Sequence, residues 1–381
     1  MLTAWGEGKA VISCSSVTGE VLCEIKITVL PKEISDGKVM YNISDNNYTI
    51  YNSIARSFLT ELEDGNLLHV EYVDDSIITE IYTLDGTLLS SGTVEKELSI
   101  FSGFYSSDDA YYILTGELNL EDSDSAEVMC LTKYSKNWER LGNCSVYGAN
   151  TSTIFQLENA SFAEADGKLY IHTCHEMYAE PDGTNHQANM TIVIDTSDMT
   201  LLESMTGVSV AGYVAHSFAQ YIREDEEYIY RLDHGDEAPR ALSLSRISRN
   251  GSLDDVTSLY YSLYPIRGSL FNGNPTGVSV GDMELSDDNI LVAFNSVDME
   301  AEVYDTEGNR NIFLAVASKN GSSVNHINIT DYTKLDGITV CTPQIVKLSS
   351  DAFMIMWKEK SDAGTVIKIV TCNGSGTIIG S

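Results

Sequence analysis

The chain has 381 residues, with 56 acidic against 23 basic side chains, a formal net charge of -33 and a hydrophobic fraction of 43%. That fraction can build a core and excludes a disordered chain; only 6 prolines exclude a Pro-rich fibre, and no apolar run reaches the ~18 residues of a spanning helix. A field this negative repels phosphate and excludes electrostatic binding of nucleic acid.

At 381 residues the chain exceeds the usual single core, so two domains or a repeat are expected. Helical periodicity is nearly absent. Short runs of Val, Ile, Tyr, Thr and Leu alternate with turn residues throughout, which is an all-β pattern. Met1 to Lys9 shows neither the basic nor the apolar region of a signal peptide. Ala10 to Ser15 and Val21 to Val29 then read as a hairpin about Thr18-Gly19. The division expected is 1–50, a hairpin and connector that closes the ring, forms a partial blade or ends a preceding domain, and 51–381, a β-propeller.

From Phe58 a four-strand unit repeats. Unit one reads Phe58 to Glu63, Asn66 to Val73, Ile77 to Leu84 and Leu88 to Val94, with hairpin dipeptides Asp64-Gly65 and Asp85-Gly86. Unit two begins near Phe104 and continues at Ala110 to Leu114, Glu127 to Tyr134 and Arg140 to Tyr147. Unit three begins near Phe162, with Lys168 to Thr173, Met190 to Asp195 and Leu201 to Met205. Unit four begins at Phe218, with Tyr228 to Asp233, Ala241 to Ile247 and Val256 to Leu263. Unit five begins near Val280, with Ile290 to Asn295, Ile312 to Ala317 and Val324 to Ile329. Unit six begins at Gln344, with Phe353 to Lys358, Val366 to Thr371 and Thr377 to Ile379. Four strands per repeat imply a six-bladed β-propeller, because each small sheet buries its faces against its neighbours. Seven blades, the N-terminal hairpin contributing, is the alternative.

The seven cysteines leave at least one thiol free. Hairpin symmetry sets Cys14 opposite Cys23, and Cys130 opposite Cys144 about Asn137. Both pairs read either as disulfides or as small buried hydrophobes.

Five of the seven histidines fall between 172 and 234. With blade strands named A to D from the ring centre outward, B–C loops and D–A connections open on one face. His175, Tyr178 and His186 fall in the B–C loop of unit three; Asp233, His234, Asp236 and Arg240 fall in that of unit four. Tyr213 and His216 fall in the D–A connection between them. These residues are expected to share one face, where loops on a rigid scaffold carry function. His172, inside strand B, reads as a packed inter-blade histidine. The bland reading of the rest is an ion-pair network tying two blades together. No cofactor is implied. No metal site is expected either: His172 and His175 sit on opposite faces of a strand, and no calcium loop, phosphate loop or zinc-peptidase motif occurs. His175, His186, His216 and His234 nevertheless have the ligand types of a first-row metal site.

The segments Tyr147-Gly148-Ala149-Asn150-Thr151, Cys174-His175-Glu176-Met177-Tyr178, Asn185-His186-Gln187-Ala188-Asn189-Met190-Thr191, Gly212-Tyr213-Val214-Ala215-His216-Ser217-Phe218 and Asp233-His234-Gly235-Asp236, with Asp182-Gly183 and Pro239-Arg240, resemble a group of uncharacterised secreted or cell-surface β-propeller proteins of Gram-positive, gut-type bacteria. The resemblance implies a propeller and an extracellular or cell-surface place, not a reaction. In that pattern an aromatic often precedes the proline; Ala238 stands there in this chain. The expectation is a propeller that binds a glycan or protein ligand through the face of blades three and four, as a monomer or as one domain of a larger surface protein. The alternatives are an enzyme acting on sulfate esters or acidic polysaccharides with the same histidines and Arg240, and a structural adhesion or spacer module.

Overall fold

The computed structural model describes residues 8–15, 21–29, 55–155, 160–181, 183–208, 212–255, 259–268, 275–335 and 337–380. It is all-β: six four-stranded antiparallel blades form a β-propeller. Strands β1 (Gly8–Ser15) and β2 (Val21–Val29) form a separate two-stranded sheet. Blade one is β3 (Ser57–Glu61), β4 (Leu67–Val73), β5 (Ser76–Tyr82) and β6 (Leu88–Val94); blade two is β7 (Ile100–Ser106), β8 (Ala110–Gly116), β9 (Glu127–Ser135) and β10 (Arg140–Tyr147). In blade three the inner edge is split between β11 (Thr151–Ile154) and β12 (Ser161–Ala165). Both pair with β13 (Lys168–Ala179), followed by β14 (Asn185–Asp195) and β15 (Leu201–Met205). Blade four is β16 (Ser217–Glu224), β17 (Tyr228–Asp236), β18 (Arg240–Ser248) and β19 (Leu259–Pro265). Blade five is β20 (Val278–Leu285), β21 (Asn289–Ser296), β22 (Asn311–Ser318) and β23 (Val324–Asn328). Blade six has a split inner edge, β24 (Thr339–Val340) and β25 (Gln344–Ser349), then β26 (Ala352–Ser361), β27 (Gly364–Cys372) and β28 (Ile378–Gly380).

The core lies between blades rather than within one. Alternation along each strand sends one set of side chains to each neighbouring blade. Phe58, Leu68 and Ile77 meet Phe101 and Phe104 between blades one and two. Leu114, Met129 and Leu131 meet Leu169, Ile171 and Ile192 between two and three. Ala163, Tyr170 and Val193 meet Ile222, Ile229 and Ile247 between three and four. Leu232 and Leu244 meet Val280, Val292 and Phe294 between four and five. Leu291 and Leu314 meet Phe353, Ile355 and Trp357 between five and six.

Two sequence expectations are corrected. The B–C hairpins of blades three and four are paired almost to their tips, so the loops expected at His175 to Asn189 and Asp233 to Arg240 shrink. Ladder pairs run to Glu176↔Gln187 and Ala179↔Asn185 in blade three, and to Asp236↔Arg240 in blade four. His175, His186, Asp233, His234, Asp236 and Arg240 are therefore strand residues. Cys130 and Cys144 are also not opposed: a register shift at Arg140/Gly142 moves the partner of Cys144 to Leu131, and both thiols are free and buried. Cys14 does lie opposite Cys23.

Candidate functional site

Between blades three and four the packing changes from apolar to polar. Charged residues alternate with apolar ones along β17, which sends Arg231 and Asp233 into this interface. Asp233 accepts from Ser217 Oγ at 2.8 Å and from Asn189 Nδ2 at 3.0 Å, and lies 3.2 Å from His172 Nε2. His172 Nδ1 lies 3.0 Å from Thr191 Oγ1, which accepts from Arg231 Nη1 at 3.1 Å. Arg231 Nε donates to Ser245 Oγ at 3.2 Å. Gln220 Nε2 donates to Ser217 Oγ at 2.7 Å. Every member of this network is buried. Buried charges persist only when paired and hydrogen-bonded, so the network holds two blades in one alignment.

The D–A connection from Gly212 to His216 is stitched across the top of that network. Val214 N donates to Asn189 Oδ1 at 2.9 Å, Asn189 N donates to Val214 O at 3.1 Å, and His216 N donates to Gln187 O at 2.7 Å. On the blade-four side, Ala215 N donates to Ala238 O at 3.0 Å and Asp236 N to His216 O at 3.2 Å. Two glycines make room. At Gly212, with φ of +78°, a Cβ would collide with the Arg231 guanidinium; at Gly235 it would collide with the Pro239 carbonyl. Both belong to the resembling segments, so those words encode close backbone approach.

His216 itself takes φ of +51°, a left-handed conformation unusual for a residue with a side chain. Its Nδ1 lies 3.1 Å from Asp236 Oδ1 and its Nε2 lies 3.1 Å from Glu237 Oε2. The imidazole is 33% exposed whereas the Asp236 side chain is fully buried. The pairing with Asp236, reinforced by Glu237, raises the His216 pKa above its ordinary value despite partial burial. Tyr213 is half-buried beside it, and burial, with the negative charges of Glu237 and Glu180, raises its hydroxyl pKa.

The other expected residues disperse. His175 is buried with Nδ1 2.7 Å from Thr151 Oγ1, and burial pushes its pKa down to about 4. Tyr178 accepts a bond from Asn119 Nδ2 at 3.2 Å and so turns toward blade two. His186 is half-buried, 3.4 Å from Thr184 Oγ1. His234 is buried with Nε2 3.0 Å from Thr276 Oγ1; burial, with Arg310 and Arg240 nearby, lowers its pKa to about 3. It sits on the opposite face of β17 from Asp233. Arg240 donates to the carbonyls of Asp236 at 2.6 Å, Arg267 at 3.1 Å and Pro275 at 3.2 Å, so these donors brace backbone rather than face a ligand. Of the nine expected residues, His216 and Asp236 meet directly, Arg240 bonds the Asp236 carbonyl from the other side, and Tyr213 lies near enough to Glu237 to feel its charge. The sequence reading missed Glu237, Glu180, Asn189, Ser217 and Arg231 as members; the one available signal was the alternation Arg231-Leu232-Asp233 inside an apolar strand. Among the described residues, no group of three or more His, Cys, Asp or Glu is arranged to hold a metal ion. No described helix is long and apolar enough to cross a membrane.

No protein-family model matches the chain, and no curated protein matches it. Among solved structures it is similar to the GH43 BlXynB protein from Bacillus licheniformis, with 11% identity and a TM-score of 0.38 over 72% of this chain and 55% of that one, so it spans about half of that protein's length. It is also similar to an endo-arabinase from Bacteroides thetaiotaomicron, with 14% identity and a TM-score of 0.37 over 70% of this chain and 92% of that one. Prolyl oligopeptidase B from Galerina marginata gives 8% identity and a TM-score of 0.48 over 99% of this chain and 53% of that one. None of these likenesses bears on what this chain binds.

Proposed function

We propose that this propeller is an extracellular module that binds an uncharged or amine-bearing carbohydrate on the B–C face of blades three and four. Tyr213, His216 and Glu237 make the contacts, with Glu180 at the margin and Asp236 fixing the imidazole from behind. The observation that carries the reading is His216, held in a left-handed backbone between two carboxylates with a third of its side chain exposed. A sugar presents C–H faces that pack on an aromatic ring and hydroxyls that donate to carboxylates, and Tyr213, Glu180 and Glu237 supply both. The same carboxylates oppose a sulfate or uronate, and Arg240, with donors on three carbonyls, does not offset them.

A panel of neutral, amino, sulfated and uronate oligosaccharides tests this. Neutral or amino sugars are expected to bind, with affinity falling at least about tenfold in Tyr213→Ala, the loss of roughly 1.4 kcal/mol. Preference for sulfated or uronate ligands would overturn it. A second reading rests on the Asp236–His216 pair, because a buried carboxylate orienting an imidazole makes a general base. Turnover of a bound glycan that disappears in His216→Ala while Glu237→Gln retains it would favour that reading.

A further inference from the structure

Blade one carries a row of polar side chains that the carbohydrate site does not use. Alternation sends Phe58, Leu68, Val70 and Ile81 into the cluster with blade two. Ser57, Leu59, His69, Glu80 and Tyr82 therefore share the other face of the sheet. His69 on β4 lies directly opposite Glu80 on β5 and Leu59 on β3, with Ser57 at the diagonal position. Three neighbouring strands thus set a hydroxyl, an imidazole and a carboxylate in line. Ser57 Oγ lies 3.0 Å from His69 Nε2, and His69 Nδ1 lies 3.1 Å from Glu80 Oε2. Tyr82 donates to the same Glu80 oxygen at 2.8 Å and holds the carboxylate in place.

The chemistry of the three groups sets the direction of the protons. An ionised carboxylate only accepts, so Glu80 takes the Nδ1–H of His69, and Nε2 accepts from the Ser57 hydroxyl. A serine bonded to a base that a third group orients is the arrangement of a nucleophile activated for acyl transfer. It is recognised by geometry and not by position in the chain. Solvent reaches the row: Ser57 is half-buried, the imidazole is 22% exposed, and Leu59, opposite His69, is 64% exposed.

We propose that Ser57, His69 and Glu80 form a second site, an acyl-transfer centre for a small, uncharged carboxylic ester whose acyl group rests on Leu59. Glu80, and Glu71 directly opposite Ser57, oppose an acyl group that carries its own carboxylate. Ser57 Oγ adds to the acyl carbon as its proton passes to His69 Nε2. The bond to the alkoxy oxygen breaks, and that oxygen leaves with the proton from Nε2. Water then gives a proton to Nε2 and adds to the acyl carbon; the bond from Oγ to that carbon breaks, and Ser57 regains the proton. The net change is ester and water to acid and alcohol. Ser57 and His69 are the catalytic residues, and Glu80 is a positioning residue that acts through the imidazole.

Incubation of the full chain with p-nitrophenyl acetate tests this. A burst of p-nitrophenol equal to the amount of chain is expected, with the acetyl group found on Ser57 by peptide mass spectrometry. That mapping uses the wild type and does not depend on the folding of any variant. Ser57→Ala should abolish the burst, and His69→Asn should slow it at least about a hundredfold. In Glu80→Gln, kcat should fall at least about tenfold with KM unchanged, because Glu80 touches the base and not the ester. No acetyl on Ser57 would overturn the proposal, as would acetylation of Ser57 at the same rate in heat-denatured chain. A wild-type rate in His69→Asn would overturn it too.

Discussion

The junction between blades three and four and the junction between blades five and six occupy equivalent places in the repeat and differ in how much of each is polar. The latter is mainly apolar, with Leu291, Ala293 and Leu314 against Phe353, Ile355 and Trp357, and at its end buried Arg310 donates to Asn295 and Ser279. The former keeps a modest apolar cluster and adds Asp233, His172, Arg231, Asn189 and Ser217 in one buried network. Apolar packing tolerates small displacement, since dispersion and burial carry no direction. A buried charge network does not, because every bond lost leaves a desolvated partner. The chain places its more polar junction beneath the partly exposed His216–Glu237 pair, where the proposed ligand contacts must hold their geometry.

Four measurements break or sharpen that contrast. The largest effect is expected from Asp233→Ala, which leaves His172 and Arg231 buried without their carboxylate. Denaturant unfolding should show a loss of about 3–5 kcal/mol, with ligand affinity falling too. Less than about 1 kcal/mol would mean that the polar junction is not a clamp. The acid limb of stability comes next. His175 and His234 have pKa values lowered to about 4 and about 3, so each stays neutral in the fold and protonates in the unfolded chain below roughly 6.5. Their stabilisation is complete above that pH and falls as pH drops toward those values. Between roughly pH 6 and 4.5, two protons give a slope of about 2.7 kcal/mol per pH unit. Replacing both by Asn should flatten the limb. His216, with a raised pKa, has the opposite sign: its contribution is complete below roughly 6.5 and is lost as pH rises through the folded value.

Between blades five and six, Ile355→Val should cost about 1 kcal/mol and leave ligand affinity unchanged. A matching loss of affinity would show that the two junctions are not functionally distinct. The smallest effect is expected at Arg249, which makes a bidentate pair with Asp166 at 2.8 and 2.9 Å across an exposed turn between blades four and three. Arg249→Ala should cost less than about 1 kcal/mol, because Asp166 is half-exposed and water takes the place of the guanidinium.

The blades were legible because their signals are local. Alternation of β-branched and aromatic residues marks most strands to within a few positions, and Asp64-Gly65, Asn250-Gly251 and Asn373-Gly374 mark the tight turns. What escaped was the extension of β13, β14 and β17 past their apolar cores. His175, Asn189, Asp233 and Asp236 read as loop residues because polarity normally means water. Here their partners, Thr151, Gly212, Ser217 and His216, come from other strands and connections, and only the assembled ring reveals them. The Cys130–Cys144 register failed for a related reason, since the one-residue shift at Arg140/Gly142 leaves no mark in the pattern of hydrophobicity. The histidine clustering pointed to blades three and four, and three of those side chains, His172, His175 and His234, are buried with neighbours in different directions.

The most direct test of the central claim is a calorimetric affinity comparison on one neutral or amino oligosaccharide, using wild type, Tyr213→Ala, Glu237→Gln and Arg249→Ala. The account predicts at least about a tenfold loss for each of the first two variants and none for Arg249→Ala, which lies on the A–B and C–D face. Wild-type affinity in both Tyr213→Ala and Glu237→Gln would contradict it.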